Sequence, residues 1–286
     1  LKIVVLAKQV PDTRNVGKDA MKADGTINRA ALPAIFNPED LNALEQALRL
    51  KDAHPGSTVT ILTMGPGRAA DIIREGLFRG ADNGYLLTDR AFAGADTLAT
   101  SYALATAIRK IGNCDIIIGG RQAIDGDTAQ VGPQIAEELG MAQATYACEL
   151  TVDQAAQKAI VKREHENGYE VIEAPLPLLV TATAELNEPR QPGLWSSIYA
   201  KRYTITHITL RDMPHIDESR IGLNGSPTRV RKVYQPPLRG KVEMLSSVDE
   251  GAKKILELAY NIKPEKFSHL LVPSEDLVEE PVDTND

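Results

Sequence analysis

Over its first two hundred residues the chain alternates short, wholly apolar runs with longer amphipathic ones, and that alternation restricts the fold more than any other feature. Ile3 to Ala7 has no polar face, as expected of a strand covered on both sides. Asn37-Pro38-Glu39-Asp40 then opens a helix, with Asn as cap, Pro at the first helical position and acids in the first turn. Leu41, Leu44 and Leu48 continue it at helical spacing. Val59 to Met64 reads as the next strand, Arg68 to Phe78 as a helix and Tyr85 to Leu87 as a short strand. Asp96 caps a further helix that carries Leu98, Tyr102, Ala105 and Ile108 on one face. Cys114 to Ile118 is a buried strand ended by Gly119-Gly120, and from Pro133 a helix with Ile135 and Leu139 on one side runs to Gly140. Strand and helix in alternation give an α/β fold built on a doubly wound, mostly parallel sheet. Ligands of such sheets bind beyond the carboxyl ends of the strands, where strand order reverses. The loops Lys8 to Pro11, Gly65 to Arg68 and Gly119 to Thr128 are therefore the candidate site.

From about Thr145 the pattern changes. Residues 158 to 173 read as a hairpin around Glu166-Asn167-Gly168, and Leu178 to Ala184 as another strand. Beyond Val230 come Pro236-Pro237, one helix from Val248 to Tyr260, and a polar tail that is expected to be disordered or to lean on a partner. The division expected is an α/β domain over 1–235 and a C-terminal extension over 236–286, with no internal repeat or low-complexity tract.

Composition closes off several classes of function. With 39 acidic against 32 basic residues the formal charge is -7, so no overall positive field draws in a nucleic acid. No apolar run approaches the ~18 residues of a membrane span. The N-terminus opens on a strand instead of a basic head and long apolar core, so no signal peptide and a cytoplasmic location are expected. Cys114 and Cys148 are too few for a four-thiolate cluster, and the five histidines form neither H-E-x-x-H nor a partner to G-x-S-x-G. Redox or group-transfer chemistry would have to come with a bound cofactor.

Two glycine-rich turns follow strands. Gly65-Pro66-Gly67-Arg68-Ala69-Ala70 matches the loose G-x-G-x-x-A form of the dinucleotide fingerprint, but a strand and a helix already precede it. A βα turn that binds no pyrophosphate is the preferred reading, with backbone amides still free to touch a ligand. The stretch from Gly119 to Pro133, GGRQAIDGDTAQVGP, says more. Its glycines let amides approach an anion closely, and it runs into the N-terminus of a helix. Thr128 and Gln130 are hydrogen-bond donors. Asp125 and Asp127 would repel phosphate, so Asp127 is assigned to capping and Asp125 to loop hydrogen bonds or ribose hydroxyls, with Arg121 offsetting their charge.

At these residues the chain resembles the beta subunits of electron transfer flavoproteins, over most of its length to about residue 240. The resemblance is carried by Val5 to Pro11 (VLAKQVP), Asn37-Pro38, Met64-Gly65-Pro66, Gly80-Ala81-Asp82, Gln122-Ala123-Ile124-Asp125, Pro177 to Ala182 (PLLVTA) and Leu186 to Arg190 (LNEPR). It implies a Rossmann or adenine-nucleotide-hydrolase-like sheet and a heterodimer with an alpha subunit. Housekeeping members hold AMP in the beta subunit and FAD in the alpha subunit. The Gly126 to Pro133 run and Asp89 to Thr100 resemble instead the electron-bifurcating members, in which FAD replaces AMP. Gly126 and Ala129 are small enough to admit a second phosphate and the ribityl chain.

The resemblance implies a flavin that takes a hydride from NADH. One electron goes to ferredoxin or flavodoxin, the other to the alpha-subunit FAD and a flavin dehydrogenase such as an acyl-CoA dehydrogenase. Ala7, Lys8, Gln9, Asn37, Asp40, Met64 and Gly65 are expected near the adenosine end. The run Gly119, Gly120, Arg121, Gln122, Asp125, Gly126, Asp127, Thr128, Ala129, Gln130, Val131 and Gly132 forms the cofactor loop, its part from Gly126 onward holding the phosphates. Asp96, Thr97 and Thr100 would lie near the isoalloxazine and nicotinamide, although plain capping accounts for Asp96 equally well. No side chain is expected to act as a nucleophile. In the family the loop around residues 186–200 docks the dehydrogenase through an apolar anchor, which falls at Leu194 with Trp195 beside it. Both could instead pack on their own domain. The alternatives are an AMP-binding scaffold and a stand-alone NAD-dependent dehydrogenase, the latter short of a catalytic acid–base group.

Overall fold

The structure, a computed structural model, describes residues 1–12, 33–231 and 244–267. The chain divides into two units, Leu1–Tyr234 and Gln235–Asp286. In the first, β1 (Lys2–Leu6), β4 (Thr58–Met64), β5 (Asn83–Leu87), β6 (Ile116–Gly120) and β10 (Leu178–Ala182) pair in parallel. With β7 (Ala142–Asp153), β8 (Lys158–His165), β9 (Gly168–Pro175) and β11 (Thr206–Ile208) they form one nine-stranded sheet in the order β11-β5-β4-β1-β6-β10-β7-β8-β9. Alternate residues of β1 explain the layering. Ile3, Val5 and Ala7 face a core shared with α1 (Pro38–Ala53) and α2 (Ala70–Arg79), through Leu44, Leu48, Ile73 and Leu77. Val4 and Leu6 face a second core with α3 (Thr97–Ile111) and α4 (Val131–Leu139), through Tyr102, Ile108 and Ile135. The sheet is thus covered on both faces and wound in both directions. The chain leaves β1 toward β4 and β5, then returns to place β6 on the other flank of β1. Strand order reverses between β1 and β6, and the loops after those strands border the crevice.

The helices and parallel strands fall where the periodicity puts them, with adjustments. The first turn of the Arg68–Phe78 segment is a 3-10 turn, Gly67–Ala69, before α2 begins. Leu98, expected on the packed face of α3, is exposed, because it sits in the first turn at the loop end and the core contacts begin at Ala99 and Tyr102. The 158–173 hairpin is present as β8 and β9, with Gly168 at φ 140° opposite His165. Three features were not anticipated: β11, a small antiparallel ribbon of β2 (Gln9–Pro11) and β3 (Ala34–Phe36), and the long strand β7. β7 runs parallel to β10 in its first half and antiparallel to β8 in its second. A bulge separates the halves, with Tyr146 at φ 59°, so no single apolar period runs through it.

In the second unit α6 (Val248–Ile262) starts at Ser247, whose side chain caps the helix by accepting from the Glu250 amide, and α7 (Pro264–Phe267) follows. Ile255, Leu258 and Ile262 of α6 are exposed. The Pro236-Pro237 segment and the polar tail lie outside the described residues. Among the described residues no helix is long and apolar enough to cross a membrane.

Candidate functional site

The crevice is organised by the first turn of α1. Asp40 accepts from the Lys8 amide through Oδ2 (2.8 Å) and from the Gly120 amide through Oδ1 (2.9 Å), so one carboxylate joins the ends of β1 and β6. A Cβ on Gly120 would lie 2.5 Å from that Oδ1 and 2.8 Å from the Glu39 carbonyl carbon, which makes glycine obligatory there. Burial pushes the Asp40 carboxyl up to about 7, against the opposing pull of its amide donors. Asn37 occupies the helix-start position as expected, but its side chain does not cap. It reaches across the crevice instead, donating to the Gln122 carbonyl (2.9 Å) and accepting from the Ile124 amide (3.1 Å). Glu39 accepts from the Gln122 amide (2.9 Å) and pairs with Arg121 (2.9 Å). Asn37, Glu39 and Asp40 therefore shape the loop after β6 from inside.

This wiring corrects the assignment of charge in that loop. Arg121 offsets Glu39, and Asp125 is neutralised by Lys8 at 2.7 Å. Asp127 does not cap α4. It stands four residues before the helix begins, with φ 49°, and its carboxylate accepts from Gln122 Nε2 (3.0 Å), while Gln130 takes the cap position. Pro133 lies in the first turn of α4, where its missing N–H has no cost.

Two non-glycine residues of the loop, Asp127 (φ 49°) and Ala129 (φ 53°), adopt the left-handed conformation, and Gln130 returns to the right-handed one. Such a left–right succession turns neighbouring amides toward a common point and makes an anion-binding concavity. Among the described residues the amides of Thr128, Ala129, Gln130, Val131 and Gly132 find no acceptor, and they continue into the free N-terminus of α4. The two loop glycines differ in role. A Cβ at Gly126 would meet nothing within 4 Å, whereas one at Gly132 would lie 2.6 Å from Thr181 Cγ2, so Gly132 serves the packing of α4 on β10. Gly119, at the end of β6, is buried against Leu6.

The start of α3 reaches this loop through Thr97, whose hydroxyl donates to Gln130 Oε1 (2.8 Å). Asp96 is a cap: Oδ1 accepts from the Ala99 amide (3.0 Å), and Oδ2 accepts from the amide (2.9 Å) and hydroxyl (2.8 Å) of Thr228. Partial burial pushes its carboxyl up, but these donors outweigh it and hold Asp96 below the usual range. Thr100 sits one turn along, its amide bonded to the Asp96 carbonyl.

Beside the loop lies a cavity of about 290 Å³, lined by Lys8, Gln9, Val10, Pro11, Ala34, Met64, Gly65, Pro66, Arg68, Ala69 and Asp125. Gln9 bridges two of its walls by donating to the Arg68 carbonyl (3.1 Å). Lys8, Gln9, Met64, Gly65 and Asp125 are thus brought together around one cavity, while Ala7 is buried, its amide bonded to the Leu62 carbonyl. Val10 and Pro11 belong to the expected Lys8–Pro11 loop, whereas Ala34 was missed, since its place in the wall depends on the β2–β3 ribbon closing across a long stretch of chain. The Gly65 amide already donates to the Leu87 carbonyl (3.1 Å), so that turn serves as a wall.

Along the side of α1 from Asn42 to Asp52, residues 186–193 lead into α5 (Leu194–Arg202). Leu194 and Trp195 do not pack back on their own domain: they are 73% and 81% exposed. Ile198 and Tyr199 extend the same exposed apolar surface.

The electron transfer flavoprotein domain matches residues 24–205. The chain is 49% identical over 263 residues to the electron transfer flavoprotein subunit beta of Megasphaera elsdenii, covering 90% of this chain and 96% of that one. It is 48% identical over 258 residues to the caffeyl-CoA reductase-Etf complex subunit CarD of Acetobacterium woodii, covering 90% and 97%. It is 45% identical over 256 residues to the acryloyl-CoA reductase electron transfer subunit gamma of Anaerotignum propionicum, covering 87% and 94%. A domain match over more than half the chain and near-half identity along almost all of each relative agree with the crevice at the β1–β6 reversal. The chain belongs to the electron transfer flavoprotein family, as a beta subunit.

Proposed function

We propose that this beta subunit binds FAD in the β1–β6 crevice and works in the cytoplasm as a heterodimer with an alpha subunit, as an NADH-dependent, electron-bifurcating pair. Bound there, FAD would accept a hydride from NADH, sending one electron to ferredoxin or flavodoxin and the other to the alpha-subunit FAD, which serves a flavin dehydrogenase such as an acyl-CoA dehydrogenase. Relatives named as parts of a caffeyl-CoA reductase complex and as an acryloyl-CoA reductase electron transfer subunit support a dehydrogenase or reductase partner.

The observation that carries the reading is the run of amides from Thr128 to Gly132, without an acceptor among the described residues, next to open space at Gly126. Five such donors fit a pyrophosphate better than a single phosphate, and no described atom near Gly126 blocks the chain beyond it. The cavity of about 290 Å³ lies at the small end of ligand sites, so it takes the adenosine half, while the other half lies along the open loop. Lys8 and Arg121 hold the loop's neighbouring carboxylates in ion pairs, which lowers the repulsion a phosphate would meet. Asn37, Glu39 and Asp40 bind no ligand atom in this reading; they hold the loop in shape. Thr97, hydrogen-bonded to Gln130, brings the start of α3 to the same mouth, where we place the isoalloxazine and the incoming nicotinamide near Asp96, Thr97 and Thr100. With its donors already in place, Asp96 orients that helix and moves no proton.

Leu194 and Trp195 are assigned to docking of the dehydrogenase. The exposed apolar side chains of α6 are assigned to packing on the alpha subunit. The small cavity would also suit AMP, which makes the subunit a scaffold and docking module in the second reading. Quantifying FAD and AMP released from the purified heterodimer separates the two.

A further inference from the structure

Leu194 and Trp195 stand in the first turn of α5, and the stretch that leads to them, residues 187–190, is fastened to α1. Asn42 of α1 donates to the Asn187 carbonyl (2.6 Å), and Asn187 donates back to the Asn42 carbonyl (3.0 Å). One turn further along α1, Glu45 Oε2 accepts from both the main-chain amide (3.1 Å) and Nε (2.8 Å) of Arg190, while Oε1 accepts from Arg49 (2.9 Å). Arg190 also reaches Asp52 (2.9 Å), and its carbonyl accepts from Arg79 of α2. Glu45 is 5% exposed. Burial pushes its carboxyl up, but the arginine donors outweigh that and hold it below the usual range. A carboxylate fixed by charge-assisted bonds to both backbone and side chain of one residue determines where that residue points.

Beyond Arg190 the anchors pass to α2 and the strand it precedes. The Gly193 amide donates to the Phe78 carbonyl (3.0 Å), Arg74 donates to the Ala200 carbonyl (2.6 Å), and Tyr199 OH donates to the Asp82 carbonyl (2.8 Å). The inner side of α5 is thereby seated, with Ala200 fully buried, and its outer apolar side is left to solvent. No regular secondary structure spans 187–193, and among the described residues its hydrogen bonds to α1 are made by Asn187 and Arg190.

We propose that Glu45 and Arg190 are a positioning pair for partner docking: they aim the Leu194–Trp195 surface at an apolar socket on the dehydrogenase. This rests on the docking role given to that surface above. Neither residue touches the partner or the nucleotide in this account. Asn37, Glu39 and Asp40 lie at the start of α1, more than a turn before Glu45, so the pair can be broken without removing any bond to the nucleotide loop.

The test uses the alpha–beta complex and an acyl-CoA dehydrogenase that the wild-type complex reduces. Glu45→Gln and Arg190→Gln should each raise the KM for the dehydrogenase about five- to tenfold, with kcat at saturation and bound nucleotide unchanged. Hydrogen exchange should quicken over residues 186–200 and stay the same over 122–132. Arg190→Gln, at a side chain 34% exposed, carries the test if Glu45→Gln folds poorly. A purely structural role would lower the melting temperature and leave KM alone. Leu194→Ala is the control for the docking role. If it raises KM while neither positioning variant does, the positioning pair is overturned and docking stands. If Leu194→Ala leaves KM unchanged, both are overturned.

Discussion

Lys8 Nζ lies 2.7 Å from Asp125 Oδ1, a bond between the loop after β1 and the loop after β6. The two residues are 117 positions apart in sequence and meet only because strand order reverses between these strands. The pair closes one side of the cavity and neutralises a carboxylate in its wall. Lys8 is half exposed, so the pair adds little to stability, about 0–1 kcal/mol. Its expected effect is on anion binding.

Lys8→Met should therefore weaken nucleotide retention several-fold, with a melting temperature within about 2 °C of wild type. Adding Asp125→Asn should restore part of the loss, because the uncompensated carboxylate is then gone. Dissociation of the bound nucleotide, followed by gel filtration at two salt concentrations, reads both effects. No recovery in the double variant would mean that Lys8 acts directly on the ligand.

Gly126→Leu separates fold from cofactor. A Cβ at this position meets nothing within 4 Å, and its φ is not in the left-handed region, so folding should be unaffected. FAD occupancy of the beta subunit should fall at least about tenfold, a loss of about 1.4 kcal/mol or more in binding. Full occupancy in the variant would remove the pyrophosphate from the loop.

Gly120→Ala should disturb fold and cofactor together. Its Cβ meets Asp40 Oδ1 at 2.5 Å and the Glu39 backbone at 2.8 Å, and backbone cannot step aside as a flexible side chain can. A loss of about 1–3 kcal/mol in urea unfolding is expected. Nucleotide content per folded molecule should fall with it, since the same contact sets the loop.

Asp40 gives the crevice a pH dependence. Its carboxyl is raised from 3.8 to about 7 in the folded protein by burial, so the native state holds a proton that the unfolded chain has already released. This contribution to stability is full below about pH 4 and is lost as pH rises to about 7. Asp40→Asn, which cannot ionise, should flatten that part of the profile. It should also lose one amide bond, because the Asn side chain offers a single acceptor where Asp40 serves Lys8 and Gly120. Urea midpoints at pH 5 and pH 8 for both proteins test the sign.

The doubly wound core was legible because each element carries a local signal. Asn37-Pro38 starts α1, Asp96 caps α3, Gly140 ends α4, and the runs of β1, β4, β6 and β10 are mostly apolar and buried on both faces. β7 was not legible, since its halves answer to different neighbours and Tyr146 breaks the alternation between them. In the crevice the residue types were readable but their pairings were not. Sequence spacing gave Arg121 to the loop aspartates, and tertiary contact gives it to Glu39 and gives Lys8 to Asp125. Asn42 and Glu45 escaped notice, and Glu39 was read only as a first-turn acid, because polar residues on a helix read as a solvated face. Here the polar side of α1 is buried against two loops that arrive from residues 120–124 and 184–190.

The most direct test is a count of cofactors on the purified alpha–beta heterodimer, denatured so that all nucleotides are released and then quantified. Two FAD and no AMP per heterodimer is the predicted result, with one FAD in this subunit. One FAD and one AMP would contradict it: the β1–β6 crevice would then hold a structural nucleotide, and the hydride-accepting site placed at the start of α3 would have to be withdrawn.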